Sequence, residues 1–281
     1  MQTNSTDLLK SARRDGVAIG AFSVSNLEFV NAVIGAAEAS QKPVIVQTSP
    51  KALDYAGFSE LTNLVRTCGQ RSSVPIVLHL DHGKDLEFVL KAIEIGLHTS
   101  VMYDGSALPY EENLENTKKV VEAAHAKNIS VEAELGGVGN TDNPTHERDF
   151  TNPEQAEKFV RKTGCDCLAV AFGNNHGVKS DSEKLDFDLL KLISENVETP
   201  LAFHGASNSS GEEFTQAIKF GMAKINIDTQ LRQAFTQSLR DYLSNNPDEI
   251  DPRVYLSPAS DAVTSTTRHL IELFSTDHKS S

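Results

Sequence analysis

Residues 17–25 read Val-Ala-Ile-Gly-Ala-Phe-Ser-Val-Ser, and the apolar run at 17–22 is the chain's first expected strand. The end of that run decides between two architectures. An open, doubly wound sheet that binds a dinucleotide normally carries a glycine-rich phosphate loop directly after its first strand, and residues 17–25 carry none. Working outward, further apolar runs of strand length fall at 43–48, 75–80, 99–103, 129–135, 167–172, 200–204 and 223–227. Amphipathic patterns of helical period lie between them, at 26–40, 87–95, 111–127, 154–162, 187–195, 212–220 and 230–243. Strands that alternate with helices in this way predict a closed parallel (β/α)8 barrel, the TIM-barrel class of α/β fold. One more amphipathic stretch, 258–274, predicts an additional C-terminal helix. A chain of 281 residues is the usual size for one such barrel, so residues 1–281 are read as a single domain. The segment 136–149, GGVGNTDNPTHERD, is too long and too rich in Gly, Asn and Asp for an ordinary connection. It is expected to be a functional loop after the fifth strand.

The formal net charge is −13, which argues against nucleic acid or an anionic membrane as a partner, since both require basic surfaces. A small anionic substrate is not excluded, because a few local Lys and Arg side chains suffice for it. The three cysteines, Cys68, Cys165 and Cys167, do not form a zinc-ribbon pattern and suit a reducing compartment. With no apolar signal core at the start and no membrane-length window, the expectation is a cytoplasmic protein.

In a barrel of this kind the chemistry sits at the C-terminal ends of the strands. Three of those ends deliver a His followed by Gly: His82-Gly83, His176-Gly177 and His204-Gly205. One such pair would be read as packing or capping. Three at equivalent strand ends are read as a metal site, because imidazole suits zinc and three protein ligands leave a catalytic position open. His98, His125, His269 and His278 are expected at the surface, and His79 is taken as structural. Asp81, beside the first ligand, is either a proton-transfer group or a partner that orients an imidazole. In the fifth strand, Val131 and Ala133 alternate with Glu132 and Glu134. The apolar set should face the helices, so both glutamates should point inward and need a cation or a metal as partner. Glu134, nearer the strand end, is the better candidate for the site, and Asp104 either joins it or caps a loop. The last two strands end in Gly205-Ala206-Ser207 and Asn226-Ile227-Asp228-Thr229, where this fold usually holds a phosphate.

At these residues the chain resembles the class II, metal-dependent fructose-bisphosphate and tagatose-bisphosphate aldolase family. The matching stretches are LHLDHG at 78–83, TSVMYDGS at 99–106, VEAELG at 131–136, FGNNHG at 172–177, FHGAS at 203–207 and KINIDTQLR at 224–232. They occur in order across residues 16–274. The resemblance implies a catalytic zinc on His82, His176 and His204. It also implies a second or alternative metal position, or a monovalent cation, near Asp104 and Glu134. Asp81 would exchange the proton of the substrate's C4 hydroxyl while zinc polarises the ketose carbonyl. Gly177, Gly205, Ala206, Ser207, Asn226, Ile227, Asp228 and Thr229 would hold the dihydroxyacetone phosphate part. Ser49, Lys179 and Arg232 match positions that contact the second phosphate. Arg253 matches one supplied by a partner subunit, which implies a homodimer or higher homo-oligomer. Asp142 takes the place of the family's loop glutamate. Asp228 is similar to the residue of fructose-type members, so fructose 1,6-bisphosphate is the expected substrate. The alternatives are the tagatose epimer or another ketose bisphosphate, a zinc hydrolase on the same barrel, and a sugar-phosphate binder without turnover.

Overall fold

The computed structural model describes residues 2–140, 150–176 and 184–276. Parallel strands β1 (Ile19–Ser23), β2 (Val44–Thr48), β3 (Ile76–Gly83), β4 (Ser100–Tyr103), β5 (Ser130–Leu135), β6 (Cys167–Val170), β7 (Leu201–Phe203) and β8 (Met222–Ile227) pair in sequence order. The ring then closes between β1 and β8, with Ile19 opposite Lys224 and Ala21 opposite Asn226. The expected barrel is therefore present, and each expected strand agrees with an observed one to within three residues at either end.

The helices are α1 (Thr6–Asp15), α2 (Leu27–Ser40), α3 (Pro50–Ala56), α4 (Phe58–Arg71), α5 (Leu86–Ile95), α6 (Tyr110–His125), α7 (Pro153–Thr163), α8 (Phe187–Asn196), α9 (Gly211–Lys219), α10 (Thr229–Asn245) and α11 (Pro252–Phe274). Their starts reflect local chemistry. Side chains of Asn26, Asp85, Asn152 and Asp186 accept the backbone N–H of the third residue on, which satisfies a donor the first turn leaves open. Three helices, α1, α3 and α4, lie where the sequence pattern predicts none. The last helix begins six residues earlier than expected, at Pro252 rather than 258. Asp251 caps it and Pro252 suits the first helical position, so Pro258 falls inside the helix instead of opening it.

Strand alternation divides the molecule into two apolar regions. The outward set, including Phe22, Val46, Leu78, Val131, Val170, Phe203 and Ile225, packs under the helices. The inward set is small: Ile19, Ala21, Ile45, Val77, Met102, Cys167, Ala169, Ala202 and Ala223, closed from below by Leu9 and Ala12 of α1. Helix α1 thus plugs the N-terminal end of the barrel. Above this plug the inward positions turn polar, with His79, Asp81, Glu132, Glu134, Lys224 and Asn226 all buried. That polar layer underlies the site. His98, expected at the surface, is buried instead, with its ring against Phe58 and Nε2 3.0 Å from the Thr48 hydroxyl. Its place two residues before β4 turns it under α4 rather than outward. No described helix is long and apolar enough to cross a membrane.

Candidate metal centre and substrate cavity

Neighbouring residues of a strand face opposite ways, so Asp81 and His82 cannot both reach the barrel mouth from a regular β3. The strand end is irregular. The β3–β4 register shifts between Leu80 and Gly83, and His82 adopts a left-handed backbone with φ of 53°. That conformation costs a non-glycine residue about 1–2 kcal/mol, and it turns both side chains toward the mouth. Gly83 is needed here because a Cβ would strike Val89 and lie 2.7 Å from the Met102 carbonyl oxygen. Gly205, also left-handed, lies against the backbone of Asn175. The glycine after each of these two histidines is thus required by close packing within the protein.

His82 and His204 meet. Nε2 of His82 lies 3.2 Å from Nδ1 of His204, and both fall with Asp81 in one group of metal-competent atoms. The outer nitrogen of each ring faces a carboxylate. His204 Nε2 is 2.6 Å from Glu132 Oε1, and His82 Nδ1 is 3.5 Å from Asp104 Oδ2. A carboxylate accepts, so those outer nitrogens carry the protons and the inner pair presents lone pairs toward a common point. Two imidazoles on a tetrahedral zinc, with Zn–N bonds of about 2.0–2.1 Å, have nitrogens roughly 3.3–3.4 Å apart. The observed pair fits that bite. The backbone of His176 pairs with Asn140, as part of a short parallel bridge of Asn175–His176 with Gly139–Asn140.

Electrostatics derive from the same contacts. Burial pushes the His82 imidazole down, but Asp81 and Asp104 outweigh it and raise it to about 9. Burial keeps His204 below the ordinary imidazole value despite Glu132. Burial alone would raise Asp81, yet His82, His204 and Lys224 hold it below the usual carboxylate range. The Asp81 carboxylate also accepts from the amides of Gln47 (3.4 Å) and Asn226 (3.3 Å).

A second group, His82, Asp104 and Glu134, adjoins the first. Asp104 accepts from the Ser106 hydroxyl at 2.6 Å and lies 3.6 Å from Lys84 Nζ. Burial pushes Asp104 up, but His82, Ser106 and Lys84 hold it well below the carboxylate range. Burial, with the Asp104 charge added, pushes Glu134 up to about 8. Glu134 Oε2 is buried without a hydrogen-bond partner among the described residues. An orphaned carboxylate oxygen beside two potential ligands fits a cation.

Beside the histidines opens a cavity of about 480 Å³. Of the residues expected at the site, Ser49, Asp81, His82, Gly205, Ser207, Asn226, Asp228, Thr229 and Arg232 line it. The Ser207 hydroxyl accepts the Asp228 N–H at 3.1 Å, which ties together the two loops expected to cradle a phosphate. Arg232 lies 2.9 Å from Asp228, and the Ser49 hydroxyl caps α3 through the Ala52 N–H. Burial raises the Asp228 carboxyl, with Arg232 opposing. Other expected residues are placed elsewhere. The side chains of Ala206 and Ile227 are packed in the core, so only their backbone can face a ligand. Arg253 is exposed in the first turn of α11, 2.7 Å from Asp251 and outside the cavity lining. Asp142, Gly177 and Lys179 lie outside the described residues. Sequence reasoning missed Ser23, Gln47, Lys51 and Tyr55 of the lining, and Lys224 beneath it. One signal for Lys224 was available: a lysine inside the apolar strand Met222–Ile227 has to meet a buried acid.

A parallel eight-stranded barrel with paired imidazoles, an adjacent carboxylate and a cavity at its strand ends has the architecture of a barrel enzyme with a candidate metal site. The family described as fructose-bisphosphate aldolase class-II matches residues 3–279. The chain is 41% identical to a fructose-bisphosphate aldolase of Thermus caldophilus, over 98% of each. It is 38% identical to the D-tagatose-1,6-bisphosphate aldolase subunit GatY of Klebsiella oxytoca, over 96% of each. Among solved structures it is similar to the YdjI aldolase of Escherichia coli K12, with a TM-score of 0.87, 34% identity and 100% of each chain covered. A putative fructose-1,6-bisphosphate aldolase of Coccidioides immitis superposes with a TM-score of 0.89 at 31% identity, over 97% of this chain and 96% of the other. The chain belongs to the class II fructose-bisphosphate aldolase family, and is an aldolase, a carbon–carbon lyase.

Proposed function

We propose that the chain is a zinc-dependent fructose-1,6-bisphosphate aldolase, reversibly cleaving its substrate to dihydroxyacetone phosphate and glyceraldehyde 3-phosphate. The observation that carries this reading is the 3.2 Å approach of His82 Nε2 to His204 Nδ1 with Asp81 alongside, at the edge of a cavity that also holds Asp228 and Arg232. His82 and His204, joined by His176, would hold the zinc. Bound there, zinc supplies Lewis acidity that polarises the ketose carbonyl and accommodates the electron pair left when C3–C4 breaks. Asp81 accepts the C4 hydroxyl proton as the aldehyde forms, and returns it in the condensation direction. Its depressed pKa keeps it in the basic form at neutral pH, and Gln47 and Asn226 fix its orientation. Ser207 and the backbone of residues 205–206 and 226–229 hold the dihydroxyacetone phosphate end, with Gly177. Ser49, Lys179 and Arg232 take the other phosphate. Asp142 exchanges the carbon-bound proton in place of the family's loop glutamate. Asp104 and Glu134 line a second cation position.

Asp228 is the basis for preferring fructose. A carboxylate in the cavity can hydrogen-bond the substrate hydroxyls and so separate configurations at C4. The second reading, the tagatose epimer, draws on the relative from Klebsiella oxytoca. Measuring kcat/KM for both epimers decides between them: preference for fructose supports the role given to Asp228, and preference for tagatose removes it. We also propose a cytoplasmic homodimer, with residues 1–281 as one functional domain. The three cysteines are free thiols, as a reducing compartment requires. Arg253 and the neighbouring Ile250 are 88% and 89% exposed, which suits a partner surface.

A further inference from the structure

We propose that Glu132 and Lys224 form a buried positioning pair that dictates which ring nitrogen His204 presents to the metal. The inference rests on the reading of His82 and His204 as zinc ligands. Glu132 sits one inward position below Glu134 on β5, and Lys224 faces it from β8 across the barrel interior. Oε1 of Glu132 lies 2.6 Å from His204 Nε2, and Oε2 lies 2.6 Å from Lys224 Nζ. All three side chains are at most 2% exposed, so water cannot substitute for either contact.

The chemistry leaves one arrangement. An ionised carboxylate only accepts, so the proton on the neutral His204 ring resides on Nε2. The Asn226 amide nitrogen, 3.3 Å from the ring, is a donor and cannot take that proton. Nδ1 is then the lone pair turned toward His82 Nε2. Lys224 holds the second oxygen of Glu132 and so fixes the plane of the carboxylate. Glu132 is therefore not itself a ligand, because both of its oxygens are engaged below the site. A metal-bound imidazole whose outer N–H lacks its acceptor rotates more freely and is a weaker base. The pair also explains why a charged couple is retained in a barrel interior where apolar side chains would pack at no electrostatic cost.

The test uses the double variant Glu132→Leu/Lys224→Met, which removes both charges together, and with them the acceptor for His204 Nε2. Zinc affinity is measured on the metal-free full chain by competition with a chromophoric chelator, and the visible spectrum is recorded after cobalt substitution. The expected result is zinc binding weakened by about 10–100-fold, with an altered cobalt spectrum. Affinity within about twofold of the wild type, with an unchanged spectrum, overturns the pair's role. Failure of the wild-type chain itself to bind zinc would instead overturn the metal-site reading on which the inference depends. Should circular dichroism show the variant unfolded, nitrogen-15 NMR of the wild-type imidazoles decides. His204 protonated on Nε2 and metallated on Nδ1 supports the proposal, and the reverse assignment contradicts it.

Discussion

Glu132 and Glu134 are two residues apart on one strand, both inward and both buried, yet their environments set them to opposite states. Glu132 has Lys224 and His204 against its oxygens, and although burial pushes its carboxyl up, those partners hold it well below the usual range. Glu134 faces Asp104 and is pushed up to about 8. Both are equally buried, so burial alone does not decide what a buried acid does. The charge set against each carboxylate decides. One glutamate is fixed as a structural anion under His204, the proposed metal ligand, and the other is left with an oxygen that calls for a cation.

The largest expected effects lie at the two histidines proposed to hold the metal. His204→Ala and His82→Ala should each reduce kcat by about 10⁴-fold or more, since they remove several kcal/mol of Lewis-acid stabilisation. A loss below tenfold would remove the metal from the mechanism. Asp81→Asn should lower kcat by about 10²–10⁴-fold while zinc content, read by elemental analysis, stays at the wild-type level. Stability separates the two glutamates next. Glu132→Ala strands Lys224 without its counter-ion and should cost about 3–5 kcal/mol in denaturant melts of the metal-free protein. Glu134→Gln keeps the shape of a mostly neutral group and should stay within about 1 kcal/mol. Equal losses would break the contrast.

The pH dependence of stability should carry opposite signs. The Glu132 carboxyl is depressed on folding, so its contribution is present above the ordinary value of 4.5 and is lost as pH falls below it. The Glu134 carboxyl is raised on folding, so its contribution is present below 4.5 and is lost as pH rises through about 8. Glu134→Gln should therefore flatten the stability profile between 4.5 and about 8 and leave the limb below 4.5 unchanged. The smallest effect concerns the metal's competition with a proton. His82 must lose its proton to bind zinc, so below about 9 zinc affinity should fall by up to tenfold per pH unit, visible in chelator titrations at several pH values.

Much of this was readable in the sequence because strand ends obey a simple rule. The apolar runs mark the strands, and Asp81, His82 and His204 sit immediately past or at their ends, where the fold places chemistry. The alternation in Ser130–Leu135 correctly turned both glutamates inward. What remained hidden depends on the third dimension. Lys224 is distant from Glu132 in the chain and meets it only once the barrel closes. The left-handed turn at His82 leaves only a weak mark on the sequence, because few histidines adopt positive φ even though the residue is enriched there. Helix α1 carries an amphipathic period, with Leu9 and Ala12 on its buried face, but it precedes the first strand, where an alternation of strand and helix calls for none. In α4 the spacing of Leu61, Leu64, Val65 and Cys68 is helical, but Ser, Thr, Asn and Gly residues dilute it.

The central claim is that paired imidazoles at the mouth of this barrel hold a zinc that the lyase reaction requires. The direct measurement is a coupled cleavage assay on fructose 1,6-bisphosphate after exhaustive treatment with EDTA, repeated after stoichiometric zinc is returned. The account predicts that triose production is abolished by the chelator and restored by zinc. Activity that survives complete removal of metal would contradict it.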